Sequence, residues 1–205
     1  KEIVSDVEFK VFSAHANKKD SRIVALNVPN GCSLSNKQIE DYTNLVMKYG
    51  AKGLAYIKCK DVSNIDQGLE SPIKKFLKKD VLLKIIEITS AKNNDLIFFS
   101  ADTNVIVNES MSSLIKTLGS DLKLLKDTWE FVWITGYPLF EQETKTNNLT
   151  SVHHPFTSPV NINDIDKKDL LSIESRAYDL ILNGNEIGGG SIRIHSKDLQ
   201  IKVFS

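Results

Sequence analysis

The sequence predicts an α+β protein, a helix-covered sheet followed by antiparallel strands, and three observations carry that expectation. Ser35-Asn36-Lys37-Gln38 reads as a capping box, because a serine hydroxyl and an amide three residues on can each satisfy a free N–H of a helix start. The β-rich runs Ile23–Val28, Leu54–Cys59 and Asp95–Ser100 are separated by segments of helical period rather than by short turns. Asn183-Gly184, set between the apolar runs Tyr178–Leu182 and Ile187–Ile194, has the chemistry of a two-residue type I′ turn, which demands positive φ at both positions.

Taken in order, Val7, Phe9 and Val11 alternate as a strand would, and Ile23–Val28 is a second strand. The capped helix carries Ile39, Tyr42, Leu45, Val46 and Tyr49 on one face, and Gly50 closes it. Leu54–Cys59 is a strand, Ser71–Lys78 and Asp80–Thr89 are helical by pattern, and Asp95–Ser100 is a buried strand. Val105–Leu118 forms a helix ending at Gly119. The organisation changes between Leu118 and Lys126, giving a division into residues 1–122 and 123–205. Beyond it come an aromatic strand over Trp129–Thr135, a polar hairpin tip at Glu143–Asn148, a histidine–proline segment, a charged stretch through Asp164–Asp169 and the terminal hairpin. The lysine clusters at 74–79 and 167–168 read as solvated helix faces.

A chain of 205 residues with 41% apolar content holds one large or two small cores. Lys+Arg and Asp+Glu stand at 26 each, so no global basic field marks a nucleic-acid binder, and any such contact has to be local. Cys32 and Cys59 are too few for a disulfide framework and read as small core residues in a reducing cytoplasm. No apolar run is long enough for a signal or a membrane span.

Two stretches carry chemistry. In Glu186-Ile187-Gly188-Gly189-Gly190-Ser191-Ile192-Arg193, a carboxylate and a guanidinium flank three positions without side chains. That arrangement suits a ligand bearing both signs of charge; the bland reading is a glycine-rich loop with a surface ion pair. Glu186 and Arg193 are an odd number apart, so a regular pleat sends them to opposite faces and a glycine bulge between them would bring them to one. Ser151-Val152-His153-His154-Pro155-Phe156-Thr157-Ser158-Pro159 is a stiff polar segment. Adjacent histidines are poor ligands for one metal, and no other Cys or His stands at a completing spacing, so hydrogen bonding to a ligand suits His153 better.

Together these stretches resemble the catalytic core of bacterial-type aspartyl-tRNA synthetases, class II enzymes. The resemblance takes in Trp129-Glu130-Phe131-Val132-Trp133, Tyr137-Pro138-Leu139-Phe140-Glu141, His153 through Pro159, Ala177-Tyr178-Asp179-Leu180 and Glu186 through His195. Upstream, Gly50-Ala51-Lys52-Gly53-Leu54-Ala55-Tyr56, Ser71-Pro72-Ile73, Phe76-Leu77, Asp95 through Phe99 and Ala101-Asp102 look like the GAD insertion domain that such enzymes carry. The family usually has an acidic residue where Gly136 stands.

The resemblance implies a GAD-like domain over 1–122 and part of the class II antiparallel sheet over 123–205. It implies formation of aspartyl-adenylate from L-aspartate and ATP, then transfer to tRNA, in a cytoplasmic homodimer away from membranes. By residue, it implies that Arg193 and His153 bind L-aspartate, that Glu186 binds ATP through Mg or a ribose hydroxyl, that Asp179 supports the same Mg, and that Ser191 lines the adenylate. No protein nucleophile or general base is implied. The family's arginine-bearing ATP motif and its Gly-Leu-Asp-Arg motif fall outside the chain, so it is expected to be a fragment, inactive alone. The alternative is a non-catalytic tRNA-associated module, since a tRNA-dependent amidotransferase subunit shares the insertion domain.

Overall fold

The computed structural model describes residues 1–143, 146–166 and 169–205, and it is α+β throughout. The Lys pair at 167–168 and part of the 143–148 and 164–169 stretches lie outside the described residues. The chain divides into two compact units, Lys1–Leu125 and Lys126–Ser205.

The first unit is built on a four-stranded antiparallel sheet in the order β1 (Ser21–Val28), β4 (Asp95–Thr103), β2 (Ala55–Cys59), β3 (Leu69–Glu70). The central strand β4 is buried on both faces, so its sequence is a continuous apolar run rather than an alternation. Ile97 and Phe99 face a core with Phe12 of α1 (Lys10–Ala16) and Leu82 and Ile85 of α3 (Lys79–Thr89). Leu96 and Phe98 face a second core with Tyr42 and Val46 of α2 (Asn36–Met47) and Val107 and Leu114 of α4 (Asn104–Asp121). The capping box is present in full: Gln38 N–H donates to Ser35 Oγ at 3.3 Å, and Ser35 N–H donates to Gln38 Oε1 at 3.0 Å.

Several local expectations are corrected. Val7–Val11 is not a strand; Phe9 caps α1, which places Phe12 against Phe9 and Phe99 with ring centroids 4.9 and 5.4 Å away. Ser71–Lys78 holds only a short 3-10 turn at Lys74–Phe76. Tyr49 lies beyond α2 and is exposed. α4 runs past Gly119 to Asp121, because Gly119 serves a close approach: a Cβ there would stand 3.0 Å from Leu125 Cδ2. The chain turns away at Lys123, whose φ is 53°.

The second unit has a three-stranded antiparallel sheet, β5 (Phe131–Ile134), β8 (Ala177–Leu182), β9 (Asn185–Ser191), and a hairpin of β6 (Phe140–Gln142) and β7 (Leu149–Ser151). A small core of Leu139, Phe140, Ile165, Ile173 and Leu199 joins the hairpin to α5 (Lys197–Phe204), a helix the sequence reading did not foresee.

Candidate active site

The β8–β9 hairpin positions the carboxylates. Asn183 and Gly184 have φ of 47° and 81°, as a type I′ turn requires. Pairing runs regularly through Leu182↔Asn185 and Ile181↔Glu186, then jumps to Leu180↔Gly188, leaving Ile187 as the extra residue of a bulge. The bulged residue is thus an isoleucine and not a glycine. Its effect on faces is still the one the odd spacing calls for: Asp179 and Ile181 share a face of β8, so their partners Gly189 and Glu186 share the same face of β9.

On that face the two carboxylates converge. A Cβ on Gly189 would collide with Asp179 Oδ1 and stand 3.1 Å from Glu186 Oε1. Asp179 is buried while Glu186 is open to solvent. Asp179 Oδ2 accepts a 2.6 Å hydrogen bond from Tyr137 Oη, and His153 Nε2 lies 3.8 Å from the same oxygen. The rings of Tyr137 and His153 are packed with centroids 4.4 Å apart. The bond to Asp179, followed by burial and the negative charges of Asp179 and Glu186, pushes the Tyr137 phenol up to about 12, so it stays a donor at neutral pH. Sequence reasoning gave Tyr137 no role; the aromatic–proline pair after Gly136, whose φ is +74°, was the available signal that the chain turns a ring inward here.

The histidine–proline segment is held by backbone pairing. Ser158 N–H donates to Ile192 O and Ile194 N–H to Phe156 O, both at 2.8 Å, with Thr157 bridged to Arg193. These bonds keep the chain extended from Ser191 through Arg193, so steps of two from Gly189 carry Arg193 to the face of Gly189 and Glu186. Its guanidinium is exposed and has no partner among the described residues, and it borders an open groove with His154, Phe156, Lys197 and Gln200. Ser191 Oγ is engaged by the buried Thr157 hydroxyl at 3.1 Å. His154 Nδ1 accepts from Phe156 N–H at 3.1 Å, which places its proton on Nε2 and makes it a brace for the loop.

Among the described residues no group of three or more His, Cys, Asp or Glu is arranged to hold a metal by itself, and no helix is long and apolar enough to cross a membrane. The arrangement offers two carboxylates beside a cleared backbone, an imidazole and a phenol next to one of them, and a guanidinium without a partner among the described residues just beyond the end of β9.

Residues 12–111 match the GAD domain family. The chain is 45% identical over 204 residues to the protein named "Aspartate--tRNA(Asp/Asn) ligase" from Legionella pneumophila (strain Corby), covering 99% of this chain and 34% of the relative. The protein of the same name from Legionella pneumophila subsp. pneumophila (strain Philadelphia 1) is 45% identical over the same shares. The chain spans about a third of the length of the curated relatives it matches. Residues 12–111 thus carry a GAD domain, and along nearly its whole length the chain is similar to proteins named aspartate–tRNA ligase.

Proposed function

We propose that the chain supplies the aspartate- and nucleotide-binding strands of an enzyme that activates L-aspartate with ATP and transfers the aspartyl group to tRNA. One observation supports this above the others: Asp179 and Glu186 reach the same cleared position at Gly189, with His153 and Tyr137 at Asp179. Arg193 grips the side-chain carboxylate of aspartate, because a planar fork reads two oxygens and an asparagine amide would leave it unpaired. His153 contacts the bound aspartate or adenylate, and Glu186 holds ATP through Mg or a ribose hydroxyl. Ser191 and the amides of Gly188–Gly190 line the adenylate.

Two carboxylates without a third ligand among the described residues suit Mg, which keeps waters and takes its remaining oxygens from substrate phosphates. When bound at Glu186 and Asp179, that ion neutralises phosphate charge. The protein's part is positioning: the aspartate α-carboxylate attacks the α-phosphorus in line and pyrophosphate leaves, with no protein nucleophile. Residues 1–122 then form the insertion, residues 123–205 carry the chemistry, and the complete enzyme works as a cytoplasmic homodimer. A non-catalytic amidotransferase module would give Glu186 and Arg193 no task.

The test is a chimera in which residues 1–205 replace the matching third of the Legionella enzyme, assayed by aspartate-dependent ATP–pyrophosphate exchange. Arg193→Leu should lower kcat/KM for aspartate by an amount equivalent to about 2–5 kcal/mol, and Arg193→Lys should restore little of it. Near-normal kcat/KM in the leucine variant would make Arg193 a structural residue.

A further inference from the structure

The stretch Ala51–Tyr56 has no part in the site on β8 and β9, yet it borders a cavity of about 430 Å³ in the first unit. Phe9, Phe12, Ile73 and Phe99 give this cavity its apolar wall. Three consecutive residues of β4, Phe99, Ser100 and Ala101, also line it. Neighbouring side chains of a strand point to opposite faces, so a cavity that meets three in a row meets the strand at its edge. That edge is open: β1 pairs with β4 as far as Ser21↔Thr103, whereas β2 stops at Ala55↔Phe99.

Asn104 N–H donates to the Asp20 carbonyl one step beyond Ser21↔Thr103. Ladder bonds to β1 therefore fall on the even residues of β4, and the odd residues turn their N–H and C=O toward the other edge. Ala101 is the first odd residue past the end of β2. The β2 register, continued, would set Gly53 opposite it, but no strand forms there. A Cβ on Gly53 would meet nothing within 4 Å and its φ is not positive, so this glycine leaves room that no backbone constraint demands. The charged and basic groups at the cavity are Lys52, unpaired among the described residues, and His15, whose Nδ1 lies 3.2 Å from Ser21 Oγ. Among the described residues no carboxylate lines the cavity.

We propose that this cavity and strand edge bind an extended peptide segment of a partner protein, one carrying a large apolar residue close to an acidic one. A peptide group donates to and accepts from Ala101, the apolar side chain enters between Phe9, Phe12, Ile73 and Phe99, and the carboxylate pairs with Lys52. The free N–H and C=O distinguish this occupant from an apolar small molecule, which would leave both unpaired.

The test titrates the ¹⁵N-labelled 205-residue chain with Ac-Val-Leu-Val-Glu-NH₂, with the same peptide N-methylated at each internal amide in turn, and with a version in which lysine replaces glutamate. The amide signals of Gly53 and Ala101 should shift with the first peptide, and one N-methylated analogue should bind about tenfold more weakly, the loss of roughly one hydrogen bond. Lys52→Glu should invert the preference between the acidic and basic peptides. Gly53→Trp should abolish binding while Gly53→Ala keeps it, with circular dichroism verifying the fold of both. The proposal is overturned if those signals stay unmoved at millimolar peptide, if every N-methylated analogue binds as well as the parent, or if Ala101 becomes protected by raising protein concentration alone, which would assign the edge to a second copy.

Discussion

Gly188, Gly189 and Gly190 are three identical residues in a row with three different surroundings. A Cβ on Gly188 would meet nothing within 4 Å, and one on Gly190 would stand 3.0 Å from Tyr178 Oη at the far end of that side chain. One on Gly189 would strike the Asp179 carboxylate, which Tyr137 holds fixed. Gly189→Ala should therefore lower pyrophosphate exchange in the chimera tenfold or more, about 1.4 kcal/mol in barrier, whereas Gly188→Ala should leave it near normal and stabilise the strand by about 0.5–1 kcal/mol. Equal effects of the two would mean that the carboxylates need not meet at Gly189. In the first unit, Tyr42 Oη donates to Asp121 Oδ2 at 3.0 Å, and burial, then that bond, pushes the phenol from its ordinary 10.0 up to about 12. Because the folded value lies above the ordinary one, the protonated phenol stabilises the fold at all pH below about 10, and this contribution disappears as pH climbs from 10 toward 12. Urea midpoints at pH 8 and pH 11 should thus fall further in the natural chain than in Tyr42→Phe, which starts about 1 kcal/mol less stable. A parallel fall in both would remove Tyr42 as the cause.

At the scale of elements, one residue joins the hairpin turn to the strand beside it. Asn183 Nδ2 donates to Thr128 O at 3.0 Å, its Oδ1 accepts from Glu130 N–H at 2.8 Å, and its own N–H donates to Glu130 O at 3.0 Å. Asn183→Gly keeps the positive φ and loses both side-chain bonds, so the Glu130 amide should exchange with solvent about tenfold faster while the turn persists. Asn183→Asp retains the acceptor alone and should fall between; unchanged exchange in both variants would show that backbone pairing suffices. The turn was legible in the sequence because Asn-Gly is a local code, and so was the capping box over Ser35–Gln38. The odd spacing of Glu186 and Arg193 called for a bulge without naming Ile187, since which residue is squeezed out depends on the partner strand's register. Val7–Val11 misled because a few alternating residues fit either period, and aromatic packing of Phe9, Phe12 and Phe99 settled the matter for helix. Tyr137 was invisible as a partner of Asp179 because the two are 42 residues apart and meet only through β5 and β8 pairing and a turn at Gly136.

At the scale of the whole molecule, the two units are unequally provided. The first fills both faces of its sheet, with fully buried Phe12, Ile97, Phe98 and Leu114. Among the described residues the second has a core of five buried apolar side chains, and every residue of β5 is exposed along an outer edge that no described strand pairs. Removing apolar area from water is the main favourable term in folding, and an open aromatic edge invites pairing with other chains. Residues 1–125 alone should therefore unfold in one cooperative transition by far-UV circular dichroism, while residues 126–205 alone should be poorly ordered or aggregate. Fluorescence offers an independent reading in the intact chain, since both tryptophans, Trp129 and Trp133, lie in the second unit at 77% and 60% exposure. Their emission in the native protein should already be close to that of the urea-unfolded chain, with the sharp dichroism transition reporting the first unit. A strongly blue-shifted native emission, or cooperative unfolding of 126–205 as a monomer, would mean that the aromatic strand is covered in solution and that the second unit is stable by itself.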